Sequence, residues 1–224
     1  MPVRLSERLE AVAACIPQDS ICIDVGSDHG LLPVRLLQRG RVARAFAVDL
    51  RPKPLENARR LAREEGLVAP LFQAVLSDGL QDVGVPQGSV VAIAGMGARR
   101  IRSILGSAAC KLPAVGRLVL QPNSEPGVLR SWLWEHGWGL LEEKAVSDRG
   151  KVYIVLAAER GRGIMEGSER EAMLGPLLLC SRPPAWLDWV RRRRSALEQA
   201  ADRSDGRISP SSQQELRWLS SVDA

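Results

Sequence analysis

The sequence predicts an α/β fold: a Rossmann-like, mostly parallel sheet that finishes in an antiparallel hairpin, followed by a small helical domain. Three observations predict it. Short apolar runs alternate with helix-period patterns from Ser20 to Gly137, as in a parallel sheet of β-α units. Two further runs, 138–146 and 151–158, are joined only by the short turn Ser147-Asp148-Arg149-Gly150, too short for a crossover helix. After Gly161-Arg162-Gly163 the strand patterns cease and only helical ones remain. Residues 1–162 are thus expected to carry the sheet and 163–224 the helices, and 224 residues suffice for one core with a small appendage.

Each element has a local reason. Ser6 can cap a first helix whose Leu9, Val12, Ala13 and Ile16 share a face, and Pro17 ends it. Strand one is 20–25, and the helix after the following loop ends near Gly40. Strand two, 43–48, closes on Asp49. A helix over 52–65 carries Leu55, Ala58, Leu61 and Ala62 as its stripe and stops at Gly66. Strand three, 70–76, leads into Ser77-Asp78-Gly79-Leu80. Strand four, 89–94, is apolar throughout, as a central parallel strand is. It runs into Gly95-Met96-Gly97 and a helix carrying Ile101, Ile104 and Leu105. Strand five, 116–120, ends in Gln121-Pro122-Asn123, and the helix with Leu129, Trp132 and Leu133 stops at Gly137. Helices are expected over 165–180, 186–201 and 211–222, separated by Pro183-Pro184 and Ser204-Asp205-Gly206.

Composition narrows the function. Hydrophobic residues make up 45% and charged residues 25%, the profile of a globular protein. No apolar run approaches the ~20 residues that span a bilayer, and Met1 to Arg8 has no apolar signal core, so the expectation is a cytoplasmic protein with no membrane partner. Cys15, Cys22, Cys110 and Cys180 lack metal-ligand spacing, and His29 and His136 are widely separated, so no metal site is expected. A net charge of +5 permits a polyanionic partner such as RNA.

The chemistry concentrates where the predicted strands end, because ligands of open parallel sheets sit there. The loop Asp24-Val25-Gly26-Ser27-Asp28-His29-Gly30 joins strand one to its helix. A dinucleotide loop cradles a pyrophosphate on backbone N–H groups; here Asp24 and Asp28 would set two negative charges beside it. S-adenosylmethionine (SAM) has no phosphate and carries an ammonium and a sulfonium, which suit an acidic loop. Asp49, about 25 residues after the loop, is placed to accept the ribose hydroxyls. Asp78 is a candidate acceptor for the adenine amino group or an Asp-Gly turn residue. The glycines flanking Met96 let the backbone approach a ligand. Cofactor-binding candidates are therefore Asp24, Gly26, Gly30, Asp49, Asp78, Gly79, Gly95 and Met96. Five β-α units closed by a hairpin edge describe a class I SAM-methyltransferase better than a nicotinamide-cofactor fold.

The motifs Leu5-Ser6-x-Arg8-Leu9, Asp24 to Pro33, Ser77-Asp78-Gly79-Leu80, Ala94-Gly95-Met96-Gly97 and Leu120-Gln121-Pro122-Asn123, taken in order, resemble the bacterial tRNA (adenine(22)-N(1))-methyltransferase family, the TrmK type. Leu174-Gly175-Pro176-Leu177-Leu178 resembles the motif that opens that family's C-terminal part. The resemblance implies a Rossmann-like SAM domain, a coiled-coil-like helical domain, and methylation of N1 of an adenine in the tRNA D-arm region, at position 22. Ala98 departs from the family's Gly-Met-Gly-Gly, Asp49 stands where Glu is common, and Ile154 follows Tyr153 where Glu is frequent.

Adenine N1 attacks through a lone pair, so positive charge grows on the base, and a carboxylate nearby stabilises it. Asp28 is the candidate for that role. His29 is placed to orient it or relay the amino proton, or else to bond backbone at the helix start, and Asn123 to meet the base edge. Arg8, Gly97, Arg191 and Arg192 are the substrate-binding candidates. The run Arg191-Arg192-Arg193-Arg194 reads either as a solvated helix face or as a set of phosphate ligands. Alternative functions are methylation of another RNA or a small molecule, or RNA binding without catalysis. A monomer or weak oligomer is expected.

Overall fold

The computed structural model describes residues 3–204 and 207–222. Asp205 and Gly206, expected with Ser204 to separate the last two helices, lie outside the described residues. The chain opens with α1 (Glu7–Ala14), capped by the Ser6 side chain, which accepts from the Leu9 N–H. Then β1 (Ser20–Val25), α2 (Leu31–Gln38), β2 (Val42–Asp49), α3 (Pro52–Glu64), β3 (Phe72–Leu76), β4 (Ser89–Met96), α4 (Ala98–Ser107), β5 (Val115–Pro122) and α5 (Pro126–Glu135) alternate as the periodicity requires. The hairpin is β6 (Trp138–Asp148) and β7 (Lys151–Arg160), and α6 (Glu169–Leu174), α7 (Pro176–Ser181), α8 (Pro184–Arg203) and α9 (Pro210–Ser220) follow.

One seven-stranded sheet has the order β3-β2-β1-β4-β5-β7-β6. The pairs β1–β2, β1–β4, β2–β3 and β4–β5 are parallel, whereas β5–β7 and β6–β7 are antiparallel. The chain reverses its direction of travel across the sheet at β1 and β4, and the crevice at such a switch point is where ligands bind. Val12, Leu32, Leu36, Val90, Ala92 and Val119 fill one face, beneath α1 and α2. On the other face Ile23, Val91, Ile101, Leu129 and Trp138 form a cluster that continues through Leu174, Leu178, Trp186, Val190, Leu197 and Leu219. The C-terminal helices are thus held to the sheet by burial of apolar surface, worth roughly 1.5–3 kcal/mol per large side chain.

Three local expectations are corrected. The helix expected over 165–180 is broken at Gly175, which has φ 94° and lies between α6 and α7. A Cβ there would stand 2.7 Å from Arg130 Nη2, so only glycine lets the chain pass the buried Arg130–Glu143 ion pair (2.6 Å), and Pro176 has no N–H to continue the ladder. The hairpin turn is two residues rather than four: Arg149 and Gly150 have φ 48° and 77°, the left-handed pair that matches strand twist. Strand three begins at Phe72, beyond Pro70, which has no N–H to donate to a ladder.

Candidate active site

The carboxyl ends of the parallel strands enclose a cleft of about 640 Å³. Asp24, Gly26, Asp28, His29, Asp49, Asp78, Gly79, Gly95, Met96 and Arg8 all line it, although they come from α1 and the ends of four strands. The β1 loop is shaped by its backbone. The Gly26 and Ser27 N–H groups both donate to Val48 O, at 2.8 and 3.0 Å, wrapping the turn over the end of β2. Gly26 has φ 74°, and a Cβ on it would fall 2.1 Å from Met96 Cε. Loop and β4 end therefore fit together only because that side chain is missing.

The carboxylates differ in environment. Asp24 is buried, and burial pushes its pKa up to about 6, against the pull of the Ser27 hydroxyl and the Arg8 guanidinium and with a further push from Asp49. Asp49 is also buried; its Oδ1 accepts from the Arg51 backbone N–H at 2.9 Å and from Arg51 Nε at 3.3 Å. Asp78 Oδ1 accepts from Arg100 Nη2 at 2.8 Å. Asp28 is 65% exposed at the mouth, with Oδ2 3.6 Å from His29 Nε2 and Oδ1 3.9 Å from Arg51 Nη2. His29 Nδ1 faces Asn57 Nδ2 at 3.2 Å.

Other candidates fall elsewhere. Gly30 does not line the cleft; at φ 74° it opens α2, and a Cβ on it would meet Ala58 Cβ at 2.7 Å, so it serves the packing of α2 on α3. Gly97 precedes α4 as its N-cap. Asn123 lines a neighbouring groove of about 560 Å³, between the β5 end and the C-terminal helices. Its Nδ2 donates to Gly95 O at 2.7 Å. Arg191 pairs with Asp188 and Arg192 donates to Gly150 O at 2.6 Å, so both lie outside the cleft.

Sequence reasoning missed Arg51, Arg100 and Gln121. Arg51 follows Asp49 by two residues and Arg100 opens α4, positions from which a long side chain reaches a strand-end acid; that signal was readable. Gln121 is fully buried, and its Oε1 accepts from Arg8 Nη1 at 2.6 Å and from the Gly95 N–H at 3.0 Å. Nothing local announces those partners. Among the described residues no cluster of His, Cys, Asp or Glu could hold a metal ion, and no helix is long and apolar enough to cross a membrane.

A methyltransferase-domain family model matches residues 5–156. Streptococcus pneumoniae Sp1610 superposes with a TM-score of 0.89 at 33% identity, over 98% of this chain and 99% of that one. Its complex with S-adenosyl-L-methionine superposes with a TM-score of 0.86 at 32% identity, over 98% and 99%. The fold and its acid-lined cleft define a SAM-dependent methyltransferase, and the carboxylates fit a cofactor whose ammonium, ribose hydroxyls and amino group all call for acceptors. The tRNA (adenine(22)-N(1))-methyltransferase of Bacillus subtilis (strain 168) is 30% identical over 211 residues, 91% of this chain and 88% of that protein. The chain belongs to the tRNA (adenine(22)-N(1))-methyltransferase family.

Proposed function

We propose that the protein transfers the methyl group of SAM to N1 of adenine 22 in the D-arm region of tRNA. The observation that carries this reading is the convergence of Asp24, Asp49 and Asp78 on one cleft, in a chain similar along 91% of its length to an enzyme of that name. When bound, the cofactor supplies an electrophilic methyl on a sulfonium. The residues of the chain do the rest. Asp24 takes the cofactor ammonium, Asp49 the ribose hydroxyls and Asp78 the adenine amino group, for which Arg100 must yield or share its carboxylate. The backbone at Gly26, Gly79, Gly95 and Met96 shapes the walls.

Asp28, exposed at the mouth, accepts from the 6-amino group of the acceptor adenine as positive charge builds on the base. That interaction is stronger in the transition state than in the ground state and so raises the rate. His29, 3.6 Å away, orients Asp28. Asn123 acts through its bond to Gly95 O, and contact with the base edge requires that bond to open. Residues 163–224, with Arg191 and Arg192, hold tRNA beside the cleft, and the protein works as a monomer or weak oligomer.

The test is transfer of labelled methyl from SAM to unmodified tRNA, with nucleoside mass spectrometry and a tRNA bearing guanine at position 22. N1-methyladenosine forming only on the adenine-22 substrate is expected. Methylation of both tRNAs, or of neither, overturns the position or the activity respectively.

A further inference from the structure

Beside the cofactor cleft lies the groove of about 560 Å³ between the end of β5 and α5, α6, α8 and α9. The two hollows share no lining residue. Asn123 forms the wall between them. Its N–H donates to Met96 O at 2.8 Å and its Nδ2 to Gly95 O at 2.7 Å, and Gly95 and Met96 line the cleft on the other side. Methyl transfer needs reacting atoms about 3–3.5 Å apart, so a group seated in the groove, behind that wall, is not the methyl acceptor.

What the groove can hold follows from its lining. Val128, Ile154, Met173 and Trp189 give it apolar walls, one of them aromatic. Glu125, Glu169 and Glu215 line it against a single cation, Arg193. The excess of carboxylates repels a phosphate and admits an uncharged group with N–H donors. Arg193 is fixed by Glu215, its Nε 2.7 Å from Oε1 and its Nη2 2.9 Å from Oε2, and its Nη1 takes no partner among the described residues. Glu125 faces it: the bond to Glu215 and, at longer range, the Glu125 charge hold the Arg193 pKa above its usual value. Glu125 is half exposed, and its side chain does not cap α5. Among the described residues its carboxylate accepts from Arg99 Nη2, at 3.4 Å. An acceptor and a donor thus stand beside apolar walls, which suits a flat heterocycle with both kinds of atom on its edge.

The tRNA strand carries such groups. Adenine N1 lies on the Watson–Crick edge, so the acceptor must leave its pair and its stack, and each base beside it loses a neighbour. Unstacked RNA bases are held against aromatic or guanidinium planes and by hydrogen bonds to their edges. We propose that the groove receives the base next to the acceptor adenine, with Trp189 against the base and Glu125 and Arg193 at its edge. The strand then straddles Asn123, acceptor on the cleft side and neighbour on the groove side, which sets the register of the RNA without a contact to the cofactor. The proposal rests on the tRNA reading of the protein.

The test is a set of tRNA affinities measured with S-adenosylhomocysteine present. The substrates are intact unmodified tRNA and tRNAs with an abasic ribose in place of the acceptor or of the nucleotide on either side of it. Trp189→Ala is expected to weaken intact tRNA about tenfold or more. Removing one flanking base should weaken wild-type binding comparably, and the two changes together should lose no more than either alone. Glu125→Gln, at an exposed site that keeps the fold, should lose at least threefold on intact tRNA and nothing further on the tRNA lacking that base. Affinity for S-adenosylhomocysteine should stay within twofold in both variants. Losses that multiply at both flanking positions would overturn the proposal. Coupling to the acceptor position instead would make the groove the acceptor's own seat and overturn it too. Unchanged tRNA affinity in both variants would leave the groove to a protein partner, again overturning it. Wild-type protein that binds no tRNA at all would sink the tRNA reading itself, and this proposal with it.

Discussion

Asp24 is a carboxyl group whose environment favours its neutral form. Arg8 from α1, Ser27 from its own loop and Asp49 from β2 face it, and burial outweighs them, pushing its pKa up to about 6. A carboxyl raised in the folded state stabilises the protein below its unfolded pKa, and that contribution is lost as pH rises through the folded one. The cofactor-free protein should therefore lose on the order of 2–3 kcal/mol from this group between about pH 4 and pH 7, while SAM affinity rises over the upper part of that window as the carboxylate forms. Melting and calorimetry against pH, wild type beside Asp24→Asn, check both, and identical profiles would show that Asp24 does not titrate there. Asp28 is exposed at the mouth of the cleft and has φ 49°. Asp28→Asn tolerates that backbone and should keep SAM affinity within a few fold while losing most single-turnover methyl transfer at saturating SAM and tRNA. A near wild-type rate would leave Asp28 a loop residue. Asp49 and Asp78 were legible in the sequence because each stands where an apolar run stops, and Asp24 because it opens the glycine loop. Their arginine partners Arg51 and Arg100 went unread although both lay in reach, and Gln121 was illegible because its partners Arg8 and Gly95 are distant in the chain.

At the scale of elements, the least local feature is the hold on the helices after the sheet. Glu143 on β6 accepts from Arg130 Nε at 2.6 Å and from the Leu177 and Leu178 N–H groups at 2.8 and 3.4 Å, which satisfies the start of α7. Arg130 Nη1 donates to Ala172 O and Met173 O at 2.8 and 3.1 Å, which satisfies the end of α6. One buried ion pair thus caps both helices across the Gly175 break. Periodicity alone made 165–180 one helix, since the apolar spacing persists through the break. The Leu174-Gly175-Pro176 motif was visible, but not the ion pair that requires it. Arg130→Met should cost about 3–5 kcal/mol by leaving Glu143 charged and unpaired in the core, and Arg130→Met with Glu143→Met should recover much of it. Urea denaturation followed by circular dichroism reads both. A single-variant loss under about 1 kcal/mol would mean that water reaches Glu143 and the pair does not bridge the helices.

For the whole molecule, the question is how a sheet that binds a small cofactor also presents tRNA to it. The five-unit parallel sheet and its hairpin were readable from pattern, because strand and helix periods alternate without ambiguity. The seating of the helices was not, because their partners on α5 and β6 are distant in sequence. Those helices share a core with the sheet, and Arg192 ties α8 to the hairpin turn through Gly150 O. That turn closes β6 just after Asp148, whose Oδ2 holds the Arg8 backbone, so α8 is linked through the turn to the cleft wall. All four arginines of the run have partners within the chain: Asp188, Gly150 O, Glu215 and Glu198. Exposed pairs of this kind are worth roughly 0–1 kcal/mol, too little to prevent a phosphate from displacing them. Replacing Arg191 and Arg192 together by Ala should therefore weaken tRNA binding and make the dependence of log affinity on log salt shallower, by about one unit for each phosphate no longer neutralised. SAM affinity should stay unchanged, because neither side chain lines the cleft. Affinity titrations at several salt concentrations decide it. Lines of equal slope and height for wild type and variant would show that the run is only a solvated helix face, and that tRNA is held by other cations of the chain.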